Sequence, residues 1–203
     1  MSLSAEETRL RARNLRTLAV LGTLFLLPLL ASFWLYYGTG WRPAAHVNHG
    51  QLIQPPRPLP ALALPRWPGP GGPAAQGQAL RGRWSLVYVG DGRCDADCSR
   101  SLEVMRVTRL ALGEDVSRVA PVFLATGHCC AAALTAHRPA LTVLDASGAR
   151  GAALLRVFPR ADRPHSLYVV DPLGNLMMRY DVRRNPRGLL LDLMKLLRLS
   201  QIG

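Results

Sequence analysis

Residues 17–37, TLAVLGTLFLLPLLASFWLYY, carry no charged side chain, and 21 residues at helical rise are long enough to cross the roughly 30 Å hydrocarbon core of a bilayer. A single membrane span is expected there. Arg9, Arg11, Arg13 and Arg16 crowd its N-terminal side, while Phe33, Trp34, Tyr36 and Tyr37 lie at its far end as an interfacial aromatic belt. This asymmetry places residues 1–16 in the cytoplasm and everything after Tyr37 outside. Pro28 is tolerable within the span, because proline is more frequent in membrane helices than in soluble ones. The competing reading is a cleaved signal peptide with its apolar region at residues 18–30. No convincing A-x-A site follows, and the apolar run continues through Tyr37, so an uncleaved anchor is the expectation.

The remaining chain is about one domain's worth. Residues 38–80 are rich in proline, with Pro43, Pro55, Pro56, Pro58 and Pro60 among the first, a composition that stiffens a chain and lifts a domain off the bilayer. Residues 38–57 are expected to be a linker and residues 58–203 the domain. The stretch LPALALPRWPGPGGPAAQGQALRGRW has an alternative as a hairpin turning around Pro70 to Pro73. No internal repeat suggests a solenoid. The net charge is +12, almost all of it arginine, with Lys195 the only lysine. In a cytosolic protein this would raise nucleic acid as a partner; the outward topology argues against it. What remains is a solvated basic surface, or attraction to anionic lipid or an acidic protein partner.

Within the domain, RWSLVYVG (83–90) and RVAPVFLATG (118–127) are short apolar runs ending in glycine, as buried parallel strands do. Between them Leu102, Met105, Val107, Leu110 and Leu112 recur at near-helical spacing, and Gly113 supplies a stop. HSLYVVDPLGNLMMRYD (165–181) reads as strand, turn and strand, and NPRGLLLDLMKLLRLSQI as a closing helix that packs on a sheet. The order β-α-β, helical connection, β-β-α is that of an α/β thioredoxin-like domain, a central mixed sheet flanked by helices.

That order gives Cys94 and Cys98 an address: the loop after the first central strand and the first turn of the next helix. At positions i and i+4 the two sulfurs can grip one ion or bond to each other. A helix N-terminus favours thiolate over thiol, whereas Asp95 and Asp97 oppose it. In an oxidising compartment a plain disulfide is the simplest reading of such a pair.

Two longer stretches resemble the SCO/SenC family. WSLVYVGDGRCDADCSRSLEVM resembles its segment in which a tryptophan-led strand runs into C-P-x-x-C-P and a helix, carried here by Trp84, Val87, Tyr88, Gly90, Cys94, Cys98, Leu102 and Met105. HSLYVVDPLGNLMMRYD resembles its D-H-S-x-x-x-x-L-x-D-P-x-G stretch, carried by His165, Ser166, Tyr168, Asp171, Pro172 and Gly174. The resemblance spans roughly residues 58–203. It implies that Cys94, Cys98 and His165 hold one copper ion and that the protein helps to assemble the copper centre of a respiratory cytochrome c oxidase, whose copper-site subunit is its partner. It also implies the bacterial inner membrane, with the domain in the periplasm. The chain departs from the pattern at Asp95 and Ser99, which replace prolines, and at Pro164, which replaces the aspartate before the histidine. Thr126 to Cys130 replace the usual D-P-x-R-D.

Two thiolates and an imidazole suit copper, since Cu(I) is soft and an imidazole lets the same site hold Cu(II). His128, Cys129 and Cys130 follow a strand at the same sheet edge, where they are candidates for further copper ligands or for resolving a mixed disulfide; they also read as small buried residues starting a helix from Ala131 to His137. His46 and His49 are expected in solvent, with HVNH able to capture metal transiently. Two other functions stay open: a membrane-tethered thiol-disulfide oxidoreductase acting through Cys94 and Cys98 without metal, and a non-catalytic interaction module with a permanent disulfide. No hydrolase triad, Walker loop, dinucleotide fingerprint or haem C-x-x-C-H motif is present.

Overall fold

The structure, a computed structural model, describes residues 5–39, 48–67, 79–127, 134, 140–200 and 202. It divides into two compact units, Met1–His46 and Val47–Gly203. The first is helix α1, Ala5–Gly38, which holds the uncharged stretch and, ahead of it, the arginines. Over Arg9–Gly38 it is long and apolar enough to cross a membrane, and Pro28 does not end it. A helix suits that environment because its backbone amides bond one another, leaving none for lipid to satisfy.

The second unit is built on one mixed sheet of six strands, ordered β1-β6-β5-β2-β3-β4. At its centre β2 (Trp84–Gly90) pairs in parallel with β3 (Val119–Ala125), and β3 in parallel with β4 (Thr142–Asp145). On the other side β5 (Ser166–Val170) runs antiparallel to β2, β6 (Asn175–Asp181) antiparallel to β5, and β1 (Gln51–Pro58) antiparallel to β6. Helices α2 (Ala96–Leu110), α3 (Ala149–Leu155) and α4 (Pro186–Leu199) flank the sheet. This is the expected thioredoxin-like arrangement.

The sheet is buried on both faces, so its strands read as continuous apolar runs whose alternate residues serve different cores. Leu86 and Tyr88 of β2, Phe123 of β3 and Leu167 and Val169 of β5 face α2 and α4, where Leu102, Met105, Leu189, Leu193 and Leu197 meet them. Val87, Val89, Val122, Leu124, Tyr168 and Val170 face the other way, toward Leu59, Leu64, Leu154 and Phe158. In β6 the register slips: Val169 pairs with Met178 and Val170 with Leu176, so Met177 is an extra residue. The bulge sends Leu176 to the second core although Met178 and Tyr180, of the same parity, stay in the first.

Several expectations are corrected. The sheet begins inside the stretch read as linker, since Gln51–Pro58 is β1; its prolines stand on an edge strand, where missing N–H donors cost least. In the stretch that has a hairpin as its alternative reading, the residues just after Leu64 run along β4. Arg66 bridges Leu144, and the backbone of Pro65 and Trp67 bonds to β4; the turn itself lies outside the described residues. The short strand β4 and helix α3 occupy what was read only as a helical connection, because four residues are too few to display a period. On α2, Val107 and Leu110 are exposed while Thr108 is buried, since Val107 lies two residues past Met105 and so on the opposite side of the helix.

The start of this unit is fastened to its last helix by one buried carboxylate. Asp192 of α4, 5% exposed, accepts from the His49 N–H at 2.8 Å, the Gly50 N–H at 3.0 Å and the Tyr180 hydroxyl, and its second oxygen lies 3.1 Å from His49 Nδ1. Gly50 and Gly188 leave the room this needs. A β-carbon on Gly50 would fall 2.3 Å from the Tyr180 ring, and one on Gly188 would fall 2.5 Å from His49 Cβ. Burial pushes the Asp192 carboxyl up, but the hydrogen bonds from Tyr180, Gly50 and His49 outweigh it and hold it below the ordinary aspartate range. Asp192→Ala leaves two amides and a phenol unsatisfied and is expected to cost roughly 1–3 kcal/mol in chemical denaturation at neutral pH. A carboxyl that titrates lower folded than unfolded stabilises fully above its unfolded value, near about 3.9, and loses that contribution as pH falls through the folded value. Wild type should therefore lose more stability than Asp192→Ala between about pH 5 and pH 2; parallel losses would contradict this role.

Candidate functional site

The site lies at the edge where β2 and β3 end. Gly90 closes β2 under the Tyr88 ring, where a β-carbon would come within 2.7 Å of ring carbon. Asp91 then shapes the turn: its side chain accepts from the Arg93 N–H at 2.9 Å, and its carbonyl from the Cys94 N–H at 3.2 Å. Cys94 follows with φ of 49°, the left-handed conformation that residues with a β-carbon seldom adopt. Asp95 caps α2, its carboxylate accepting from the Cys98 N–H at 2.9 Å. Cys94 is therefore just outside the helix, and only Cys98 lies in its first turn.

Their Cα atoms are 5.0 Å apart and the sulfurs form a disulfide. Cys98, 2% exposed, packs into the first core beside Leu102 and Met105, whereas Cys94 is half-buried at the surface. An open cleft of about 510 Å³ runs beside the pair, lined by Tyr88, Gly90, Cys94, Cys98, Thr126 and Pro164 among others.

His165 reaches the same edge from the other side. It ends a short 3₁₀ turn, Arg163–His165, that leads into β5. Three groups fix this turn. Tyr88 Oη and Ser101 Oγ both donate to the Pro164 carbonyl, at 3.2 and 3.3 Å, and the Arg163 guanidinium donates to the carbonyls of Leu155 and Phe158, each at 2.8 Å. Burial raises the Tyr88 phenol well above its ordinary value, with the charges of Asp95 and Asp97 adding to the effect, so it stays a donor. The imidazole is 22% exposed, with Nδ1 3.5 Å from Asp97 Oδ1. Asp97 precedes Cys98 and Ser101 follows it by three residues, so one turn of α2 carries the buried cysteine and both contacts to the histidine turn.

The structure thus brings Cys94, Cys98 and His165 to one edge. His128, Cys129 and Cys130 lie outside the described residues; Gly127, just before them, sits against Asp91, where a β-carbon would be 3.2 Å from Oδ2. His49 is tied to Asp192 instead of standing free in solvent, and His46 is outside the described residues. Asp171 and Pro172 form the turn read from sequence: the Asp171 carboxylate accepts from the Asn175 backbone and side chain at 2.7 and 2.8 Å, with Gly174 at φ of 87°. Sequence reasoning missed the second roles of the acids. Asp95 is a helix cap and Asp97 the neighbour of His165; an aspartate directly ahead of a helical run was a readable signal for the first, whereas only the fold reveals the second.

Among the described residues, no three His, Cys, Asp or Glu side chains form a group able to hold a metal. The sulfurs are bonded to each other and the imidazole faces Asp97. As chemistry the donor set fits copper, two thiolates and one imidazole, once the disulfide is reduced; with Nδ1 turned to Asp97, Nε2 is the ring nitrogen left to bind.

By sequence, the family of the transmembrane-like, thioredoxin-like C-terminal domain matches residues 84–200, and no curated protein matches the chain. By structure, apo Sco1 from Thermus thermophilus is similar with a TM-score of 0.56 and 20% identity, over 76% of this chain and 99% of that one. Yeast Sco1 with copper bound is similar at 0.56 and 15%, over 71% and 95%. BsSco, described through a disulfide switch and as a member of the Sco family of cytochrome c oxidase assembly proteins, is similar at 0.52 and 15%, over 71% and 96%. Identities this low establish a common fold. The family match runs from the first residue of β2 past the end of α4 and takes in Cys94, Cys98 and His165, more than half of the chain, so the protein belongs to the family of transmembrane-like, thioredoxin-like C-terminal domains and has the fold of Sco proteins.

Proposed function

We propose that this protein is a membrane-anchored copper-binding assembly factor for a respiratory cytochrome c oxidase, with copper as its cargo. The observation that carries the reading is the meeting of Cys94, Cys98 and His165 at one sheet edge beside an open cleft. It is supported by Sco structures of the same fold, one of them with copper bound and one described as an oxidase assembly protein. A dithiol reductant supplies two electrons and two protons to the disulfide, leaving two thiols. Cu(I) displaces both thiol protons, and the imidazole of His165 completes an S, S, N donor set that also accepts Cu(II). His128, Cys129 and Cys130, next along the chain from Gly127, are candidates for further donors. In this reading α1 spans a bacterial inner membrane with its N-terminus in the cytoplasm, the domain is periplasmic, and the client is the oxidase subunit that carries a copper site.

A second reading, a thiol-disulfide oxidoreductase without metal, is favoured by the pair's asymmetry. Cys94 is open to attack while Cys98 is almost wholly shielded, an arrangement suited to forming and then resolving a mixed disulfide.

Copper stoichiometry separates the two. The full chain in detergent, reduced and loaded anaerobically with Cu(I), is expected to hold one copper, to lose it in Cys98→Ala and to bind more weakly in His165→Ala. No retained copper, with Cys94 and Cys98 cycling between dithiol and disulfide, would replace the first reading by the second. Both readings require a folded dithiol form. The bond closes so short a loop that its reduction is expected to cost only about 2 kcal/mol, less than the usual stability of a domain. Circular dichroism of the reduced chain should be native-like; unfolding on reduction would favour a purely structural disulfide.

A further inference from the structure

We propose that the outward face of α4 docks on the bilayer surface beside the protein's own anchor, with anionic lipid headgroups as its partner. The proposal rests on α1 being that anchor and is independent of copper. The inner face of α4 is committed: Leu189, Leu193 and Leu197 pack on the sheet. The outer face carries Leu191, Met194 and Leu199 at 44%, 51% and 72% exposure, and between them Arg187, Lys195 and Arg198, all exposed. None of these three cations has an ion-pair partner among the described residues. The helix's single acid, Asp192, is buried and occupied by His49, Gly50 and Tyr180. On the neighbouring α2, Val107 and Leu110 are also exposed, at 51% and 57%.

Large apolar side chains interleaved with unpaired cations and free of acid make a poor solvated face and a good interfacial one. The apolar groups enter the boundary of headgroup and acyl chain while the basic ends bond phosphate. Covalent reach keeps this face close to the bilayer. The 12 residues Thr39 to Gly50 span at most about 40 Å, so the domain never leaves the neighbourhood of the membrane. Tethering at that range supplies an effective concentration on the order of millimolar, enough for a surface that would bind weakly in free solution.

The test uses the full chain in vesicles containing lipid brominated in the upper acyl chain, made either of phosphatidylcholine alone or of phosphatidylcholine with phosphatidylglycerol. Fluorescence of Met194→Trp is read as the difference from wild type, and flotation with the vesicles reports the anchor separately. Bromine is expected to quench the added emission in the anionic vesicles and much less in the neutral ones. Lys195→Glu/Arg198→Glu, placed in the same background, should lower the docked fraction steeply, each lost cation reducing the docked-to-free ratio roughly fivefold, with near-ultraviolet circular dichroism unchanged. Emission indifferent to bromine while the chain still floats would overturn the proposal without touching the anchor. Quenching equal in both lipids and unmoved by charge reversal would also overturn it.

Discussion

The Pro164 carbonyl accepts two hydrogen bonds, from Tyr88 on β2 and from Ser101 on α2, and through them three separate stretches of chain become one edge. Each bond alone contributes on the order of 1 kcal/mol. Their importance is geometric, because both donors are buried and neither has freedom to follow a different partner: Tyr88 is 2% and Ser101 0% exposed. Without them the strand that delivers His165 would be fixed to β2 only through the sheet ladder, and the turn ahead of it would lose its hold on β2 and α2. Arg163 completes the clamp by fastening the same turn to the end of α3.

Two of the residues at which the chain departs from the Sco pattern, Asp95 and Pro164, have structural roles here. Asp95, where that pattern has proline, caps α2 and holds the Cys98 amide. Pro164, where it has aspartate, turns its carbonyl to Tyr88 and Ser101. The acid that faces His165 is Asp97, in the first turn of α2. Asp97 lies between Cys94 and Cys98 in the chain, so its contact joins the imidazole to the segment between the two sulfurs.

Much of this architecture was legible in the residues. The runs 83–90 and 118–127 are strands because their apolar side chains are needed on both faces, and Gly113, at φ of 61°, follows the helix as its spacing demanded. The cysteine address was readable because it follows a strand, whereas His165 was found through the resemblance of the stretch around it. Other features were hidden for physical reasons. β1 is an edge strand full of prolines, which composition alone marks as linker, and β4 is too short for alternation to show. The contact of Asp192 with His49 joins residues 143 apart, beyond the reach of any local pattern. The leucines of α4 lie on most sides of the helix, and only the packing divides them into a face that belongs to the core and a face that does not.

The central claim is that this edge, once reduced, is a copper site made of two sulfurs and one imidazole. X-ray absorption at the copper edge of the Cu(I)-loaded full chain tests it most directly. The account predicts two sulfur scatterers and one nitrogen scatterer per copper, with the nitrogen contribution lost in His165→Ala and the sulfurs retained. A spectrum of sulfur alone, identical in wild type and His165→Ala, would contradict it.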